Sequence, residues 1–298
     1  MQTNVRTAGT ADAGLLAQLS ASSGDQDWPG LVPLDHSAAA SVEGRTQRWR
    51  QLLDQGLSVL LAELGGRPAG FAVGGPARDA DLPNSTAELY AFYLDSSAGG
   101  YGLAQRMWED LPELMAAGGH RRLVLWVDER NTRMRQLVSQ TGFQADGQSR
   151  PSPRARGDAH QARHLVLLPD AAFAAGLARS LDDGRWELVA RFLDPNCRME
   201  QGQSVHRGGE ACVDAWMRSA EGGRRSFAHW SQERVVVELS AGRYTLKVAT
   251  RLEVGVHRHV HRVEEVISLP ADRCVQRVLL REPPGERQRL QAFLQRAR

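Results

Sequence analysis

The sequence predicts two domains of different class, an α/β domain over residues 1–169 and an α+β domain over residues 170–298. In the first half, short apolar strand patterns alternate with amphipathic helical ones. In the second half, helical patterns come first and a run of long strand patterns follows, which is the order of helices packed on an antiparallel sheet. Pro169-Asp170 sits where one order gives way to the other. At 298 residues the chain is long enough for two domains of ordinary size.

Element by element, Val5–Ala8 reads as a short strand, and 11–19 as a helix with Leu15, Leu16 and Leu19 on one face. Residues 44–55 read as a second helix. The apolar runs 58–64 and 68–73, joined around Gly65-Gly66, form a hairpin. A strand over 87–94 leads into a glycine turn and a helix from about 101. Leu103, Met107, Leu111 and Leu114 recur there at helical spacing, and Pro112 is expected to kink or shorten the helix. A buried strand over 122–127, a helix over 131–140 and Thr141-Gly142-Phe143 follow. A polar loop over 151–158 and a last strand over 164–168 close the half. Beyond the boundary come helices over 172–181, 186–193 and 209–220. Strands follow over 227–239, 244–256, 259–269 and 274–281, and a basic amphipathic tail over 286–298 ends the chain.

Composition narrows the function. A net charge of +2 lacks the electrostatic footprint of a nucleic-acid or anionic-membrane binder. No apolar run approaches the roughly 20 residues of a membrane span, and the first residues do not read as a secretory signal. Cys197, Cys212 and Cys274 are odd in number, widely spaced and without metal-ligand spacing, so free thiols in a reducing cytoplasm are expected. Lys247 is the only lysine, and arginine supplies the remaining positive charge.

The stretch Ala87–Trp108 carries the chemistry: an apolar strand, then Gly99-Gly100-Tyr101-Gly102, then a helix. The first N–H groups of a helix have no partner within it, and its dipole adds partial positive charge at the same end. A glycine turn lets a ligand approach them closely, so a phosphate or pyrophosphate fits there without a lysine.

In order, hairpin, strand, glycine turn, helix, strand and Asn-helix-Gly-Phe resemble the GNAT superfamily of N-acetyltransferases over residues 3–168. The family's pyrophosphate loop, Arg/Gln-x-x-Gly-x-Gly/Ala, falls on Gly99-Gly100-Tyr101-Gly102-Leu103-Ala104. Gly102 and Ala104 match, while Gly99 replaces the leading Arg/Gln and removes its side-chain help at the phosphate. The family's second frame is an Asn followed by Tyr seven residues on and Gly-Phe after that. It falls on Asn131, Val138, Gly142 and Phe143, so the tyrosine that commonly protonates the departing thiolate is absent. The resemblance implies acetyl-CoA as cofactor, held by Tyr93, Leu94, the loop 99–104 and Asn131. It also implies Glu88 as the general base, since an attacking amine must shed a proton, and a strand N–H as the donor to the developing oxyanion. On the residues alone, Glu88 equally suits an ion pair, Asn131 a helix N-cap, and Tyr101 either a cofactor contact or an exposed position. His36, His120, Asp128 and Glu129 are further polar candidates. Trp28, Trp49 and Trp126 read as core or groove walls.

The segment Leu181–Glu200, with its Asp-Gly, Trp and Phe-x-Asp-Pro, resembles the opening of the SnoaL-like, nuclear-transport-factor-like superfamily, and His206–Trp216 resembles its Gly-x-x-Ala helix. That resemblance spans about 172–285 and implies a cone of curved antiparallel sheet around an apolar pocket, with His206, His229, Glu200 and Glu264 as pocket candidates. His257, His259 and His261 alternate along one strand, so two could share an ion. No third ligand completes the set on a fixed spacing, and an exposed polar strand face is the competing reading.

The expectation is therefore acetyl transfer to a small-molecule or peptide amine by direct attack in a ternary complex. The second domain would bind a small molecule or form a homodimer contact. The alternatives are a non-catalytic acyl-CoA-binding protein, and an isomerase, dehydratase or hydrolase whose site is the cone. The loops 25–41 and 150–162 would set the acceptor. A cytoplasmic location, and no nucleic-acid or membrane partner, are expected.

Overall fold

The structure, a computed structural model, describes residues 1–22, 41–152 and 158–297. Two compact units emerge: Met1–Met115 with Arg122–Leu168, and Ala116–Arg121 with Pro169–Arg298. His36, Trp28 and most of the loop 25–41 lie outside the described residues, as do 153–157 of the other proposed acceptor loop.

The first unit runs β1 (Thr3–Thr7), α1 (Ala13–Ser22), α2 (Val42–Asp54), β2 (Ser58–Leu64), β3 (Arg67–Pro76), β4 (Thr86–Leu94), α3 (Leu103–Ala117), β5 (Arg122–Asp128), α4 (Thr132–Gln140), β6 (Gln144–Pro151) and β7 (His160–Leu167). Its seven strands lie in the order β1-β2-β3-β4-β5-β7-β6. One core lies under α1 and α2, where Leu16, Trp49 and Leu52 bury against Leu61, Phe71 and Val73. The Trp49 ring meets Phe71 edge-on at 5.7 Å. Each such side chain removed from water contributes about 2 kcal/mol. Along α3, Leu103, Met107, Leu111 and Met115 are buried at helical spacing.

Helix α3 departs from expectation, because it runs through Pro112 to Ala117. The missing proline N–H costs one helical bond, and the buried stripe on both sides of Pro112 holds the helix together. Strand β6 was not foreseen. Its sequence, Gln-Ala-Asp-Gly-Gln-Ser-Arg-Pro, has no apolar alternation, and pairing with β7 makes it a strand.

The second unit contains α5 (Asp170–Asp182), α6 (Trp186–Arg191), β8 (Leu193–Gln201), β9 (Ser204–Arg207), α7 (Gly209–Ser226), β10 (His229–Ser240), β11 (Arg243–Val254), β12 (His257–Ser268), β13 (Val275–Arg281) and α8 (Glu286–Arg296). Its sheet has the order β10-β11-β12-β13-β8-β9. All neighbours are antiparallel except β13 and β8, which run parallel. Phe173 and Phe192 pack at 4.8 Å in the core of this unit. Among the described residues, no helix is long and apolar enough to cross a membrane.

Candidate active site

The site begins with a defect in the first sheet. β4 and β5 are parallel and pair only at Thr86, Ala87 and Glu88. Beyond that point β4 stays on β3 as far as Leu94, and β5 stays on β7 as far as Asp128. The register between β3 and β4 shifts between Val73, opposite Ala91, and Gly74, opposite Leu89, so Tyr90 is a bulged residue. A bulge bends its strand and strengthens local twist, which accounts for the parting of β4 from β5. The resulting cavity, of about 650 Å³, is lined by Leu89–Phe92 on one side and Leu125–Asp128 on the other. Arg130, Asn131, Met134, Ser152 and Gln161 complete its wall.

The glycine turn leads into α3 on the same side of the sequence as β4. Gly100 and Gly102 have φ of +83° and +76°, the left-handed region that favours glycine. A Cβ added at either would meet nothing within 4 Å, so the turn presents an open surface. The first helical bond of α3 is Arg106 N–H to the Gly102 carbonyl. Among the described residues, no backbone carbonyl accepts from the N–H groups of Tyr101 to Gln105. Leu103 is buried and Tyr101 exposed, so Leu103 can offer a ligand only its N–H. The set fits an anionic pyrophosphate of the coenzyme A type: free N–H groups, a helix dipole and no Cβ in the way.

Asn131 both lines the cavity and caps α4, its side chain accepting from Met134 N–H at 3.0 Å. Gly142, at φ +83°, ends the same helix, and Phe143 then buries against Trp108 at 5.7 Å. Trp108 also meets Phe92 at 5.5 Å and donates from Nε1 to Thr141 Oγ1 at 2.6 Å. The Asn-to-Gly-Phe frame therefore fixes α4 to α3 and β4. Val138, at the tyrosine slot, is fully buried and offers no hydroxyl.

Glu88 is the last residue of β4 paired with β5; it is 2% exposed and does not line the cavity. Arg78 donates to it from its backbone N–H at 3.1 Å, Nε at 3.0 Å and Nη2 at 2.6 Å. Both carboxylate oxygens are thus engaged, and the pair raises the basicity of Arg78, chiefly through the hydrogen bond to Glu88. Arg78 is held in turn by its neighbourhood. Asp79 accepts from Trp126 Nε1 at 3.0 Å and from Arg163 at 3.2 Å. The Arg163 guanidinium, 5% exposed, also binds Asp81 and Asp146, at 2.6 Å each. Arg78 further lies over the Tyr90 ring at 4.6 Å. Burial raises the Tyr90 phenol to about 12, and its hydroxyl donates to the Pro76 carbonyl.

The remaining predicted residues are dispersed. The Tyr93 ring packs near Phe71 at 5.7 Å, a Cβ at Gly70 would abut Leu94, and neither residue lines the cavity. Asp128 does line it, held well below the usual carboxylate range by hydrogen bonds from Arg130 and Ser152. Glu129 is exposed outside the lining. His120 belongs to the second unit, is buried, and is not in the lining of this cavity. Trp49 is core, whereas Trp126 is a wall of the opening.

The second unit has its own cavity of about 890 Å³. His206, His229, Glu200 and Glu264 are absent from its lining, which is a correction to the sequence reading. Strand alternation gives the reason: Glu265, not Glu264, turns inward on β12. Glu265 there pairs with Arg234 at 3.0 Å and accepts from Trp216 Nε1 at 3.0 Å. Glu200 instead pairs with Arg277 and Arg198.

The first sheet is thus opened between two parallel central strands, and glycines free the N-terminus of the helix that follows β4. Residues 27–143, less than half of the chain, match the model of the Acetyltransferase (GNAT) family. Members of the family use acetyl-CoA. The chain is similar to an N-acetyltransferase from Staphylococcus aureus Mu50, with 20% identity, 57% of this chain and 100% of that chain covered, and a TM-score of 0.46. It is also similar to a GNAT-family acetyltransferase from Streptococcus pneumoniae, with 23% identity, 56% and 100% covered, and a TM-score of 0.45. A phosphinothricin acetyltransferase from Sinorhizobium meliloti, solved in complex with AcCoA, shows 17% identity, 57% and 90% covered, and a TM-score of 0.46. No curated protein matches the chain.

Proposed function

We propose that this chain transfers an acetyl group from acetyl-CoA to a small-molecule or peptide amine by direct attack in a ternary complex. The observation that carries the reading is the loss of pairing between β4 and β5 after Glu88, beside the free N–H groups at the start of α3. When bound, acetyl-CoA supplies an activated thioester carbonyl. Gly100, Gly102 and the N–H groups of Leu103 and Ala104 hold its pyrophosphate, and Asn131 borders the path into the sheet. Backbone groups of β4 beyond Glu88, freed from β5, supply a donor where charge develops. Glu88 takes the amine proton through a water, because its own oxygens face Arg78. With Val138 buried and apolar, solvent protonates the leaving thiolate.

The second unit is read as a SnoaL-like accessory domain that binds a small molecule. Support comes from α5 and α6 leading into a six-stranded sheet, with α7 set between β9 and β10, and from its cavity with Arg234 and Glu265 in the lining.

Calorimetry of the full chain with acetyl-CoA, followed by thiol release over a panel of amines, tests the proposal. Stoichiometric binding and amine-dependent thiol release are expected. Absence of acetyl-CoA binding at millimolar concentration overturns the reading, and binding without release over the panel converts it to an acyl-CoA-binding protein.

A further inference from the structure

The alternating histidines of β12 acquire in the fold the third ligand that their sequence lacks. His259 and His261 point to the same side of the strand, as residues two apart must, and α8 packs over them. Glu286, the first residue of that helix, is fully buried against them. One ligand atom from each of His259, His261 and Glu286 can be chosen so that all three lie within 4.8 Å of one another. His261 Nδ1 and Glu286 Oε1 are already 3.4 Å apart. That is the ligand-to-ligand spacing of about 3.4 Å demanded by a tetrahedral ion with bonds of about 2.0–2.1 Å.

The hydrogen-bond inventory points the same way. His259 Nε2 and His261 Nδ1 are both buried, and neither has a hydrogen-bond partner among the described residues. Orphaned buried nitrogens are costly, and two beside one buried carboxylate call for a shared partner. A proton on His261 could serve only one pair, at the long distance of 3.4 Å, and would leave His259 Nε2 unmet.

The surroundings supply the outer contacts of a ligand set. Glu286 Oε2 is held by Arg289 Nε at 3.0 Å, and Oε1 accepts the Arg262 N–H at 2.7 Å while facing His261. The carboxylate is thereby oriented for monodentate ligation. His261 Nε2 lies 3.8 Å from Glu282 Oε1, the kind of carboxylate that fixes the tautomer of a ligating imidazole. Phe293 stacks on the His259 ring at 5.1 Å and sets its plane.

We propose that His259, His261 and Glu286 bind one divalent transition-metal ion of the zinc class, with a fourth position left for water or a ligand. His261 and Glu282 also line the cavity of this unit, which places the ion at its wall. The site is independent of acetyl transfer by the first unit.

Untagged full-length chain, stripped with a chelator, would be titrated with Co²⁺ and then with Zn²⁺. One equivalent of Co²⁺ should bind with the visible absorption of a low-coordinate N/O site, and one equivalent of Zn²⁺ should remove that absorption. H261A and E286Q should each weaken Zn²⁺ binding by about 10-fold or more. Glu286 also anchors α8, so H259A is the cleaner variant: it breaks no hydrogen bond and should still lose about 10-fold with an unchanged circular dichroism spectrum. No stoichiometric uptake at about 100 μM Co²⁺, or uptake that H259A and H261A leave unaltered, overturns the proposal.

Discussion

Arg78 closes on Glu88 with three hydrogen bonds, so the carboxylate at the last β4–β5 pair is neutralised by its partner and not bare. Arg78 is 43% exposed and can return to water when the pair is broken. E88Q, which turns a buried amide donor towards Arg78, should cost about 1–3 kcal/mol of stability. If Glu88 takes the amine proton as proposed, E88Q should lower kcat about 10²-fold with little change in the KM for acetyl-CoA. An E88Q enzyme with the wild-type kcat would reduce Glu88 to the anchor of Arg78.

Gly102 combines a positive φ with open space above its Cα. G102E places a carboxylate at the turn proposed to hold the pyrophosphate and strains the turn by about 1 kcal/mol. Acetyl-CoA affinity, read by calorimetry, should fall by about 10-fold or more. The melting temperature should move only a few degrees.

His120 is 4% exposed, and burial pushes its imidazole down to about 4. An unfolded histidine takes up a proton near 6.5, whereas this folded one resists until about 4. Stability is complete above pH 6.5 and is lost as the pH falls from 6.5 towards 4, by about 3 kcal/mol at the lower end. Melting curves across this range should show the loss in the wild type and a shallower slope in H120L.

In the second unit Arg234 is 3% exposed and is held by Glu265 at 3.0 Å and Asp182 at 2.6 Å. E265L leaves a buried guanidinium half-compensated and should cost about 3–5 kcal/mol in urea unfolding. Adding R234M should recover part of that loss, because the uncompensated charge disappears with its partner. Additive losses would mean that the two residues are not coupled.

What the sequence disclosed was whatever rests on local pattern. The strand–glycine–helix passage over 87–108, the Asn131 cap and the Gly142-Phe143 stop depend on residues close together in the chain, and all three stand in the structure. Partnership across distance was illegible. Nothing in the run around Glu88 announces Arg78, which arrives from the loop after β3. Periodicity did not separate Glu265 from Glu264, because one residue of register decides which turns inward. The histidines of β12 stood without a third ligand until a helix more than twenty residues onward supplied Glu286. Tyr90 escaped notice because a bulge is a property of pairing, not of one strand's composition.

The parting of β4 from β5 has a consequence for the behaviour of the protein in concentrated solution. A sheet normally carries its unpaired backbone on its outermost strands, where a second chain can add on and seed aggregation. Here the vacancies are internal, because each bordering strand is still laced on its far side, β4 to β3 and β5 to β7. The opening between β4 and β5 thus adds no rim on which a neighbouring chain could pair.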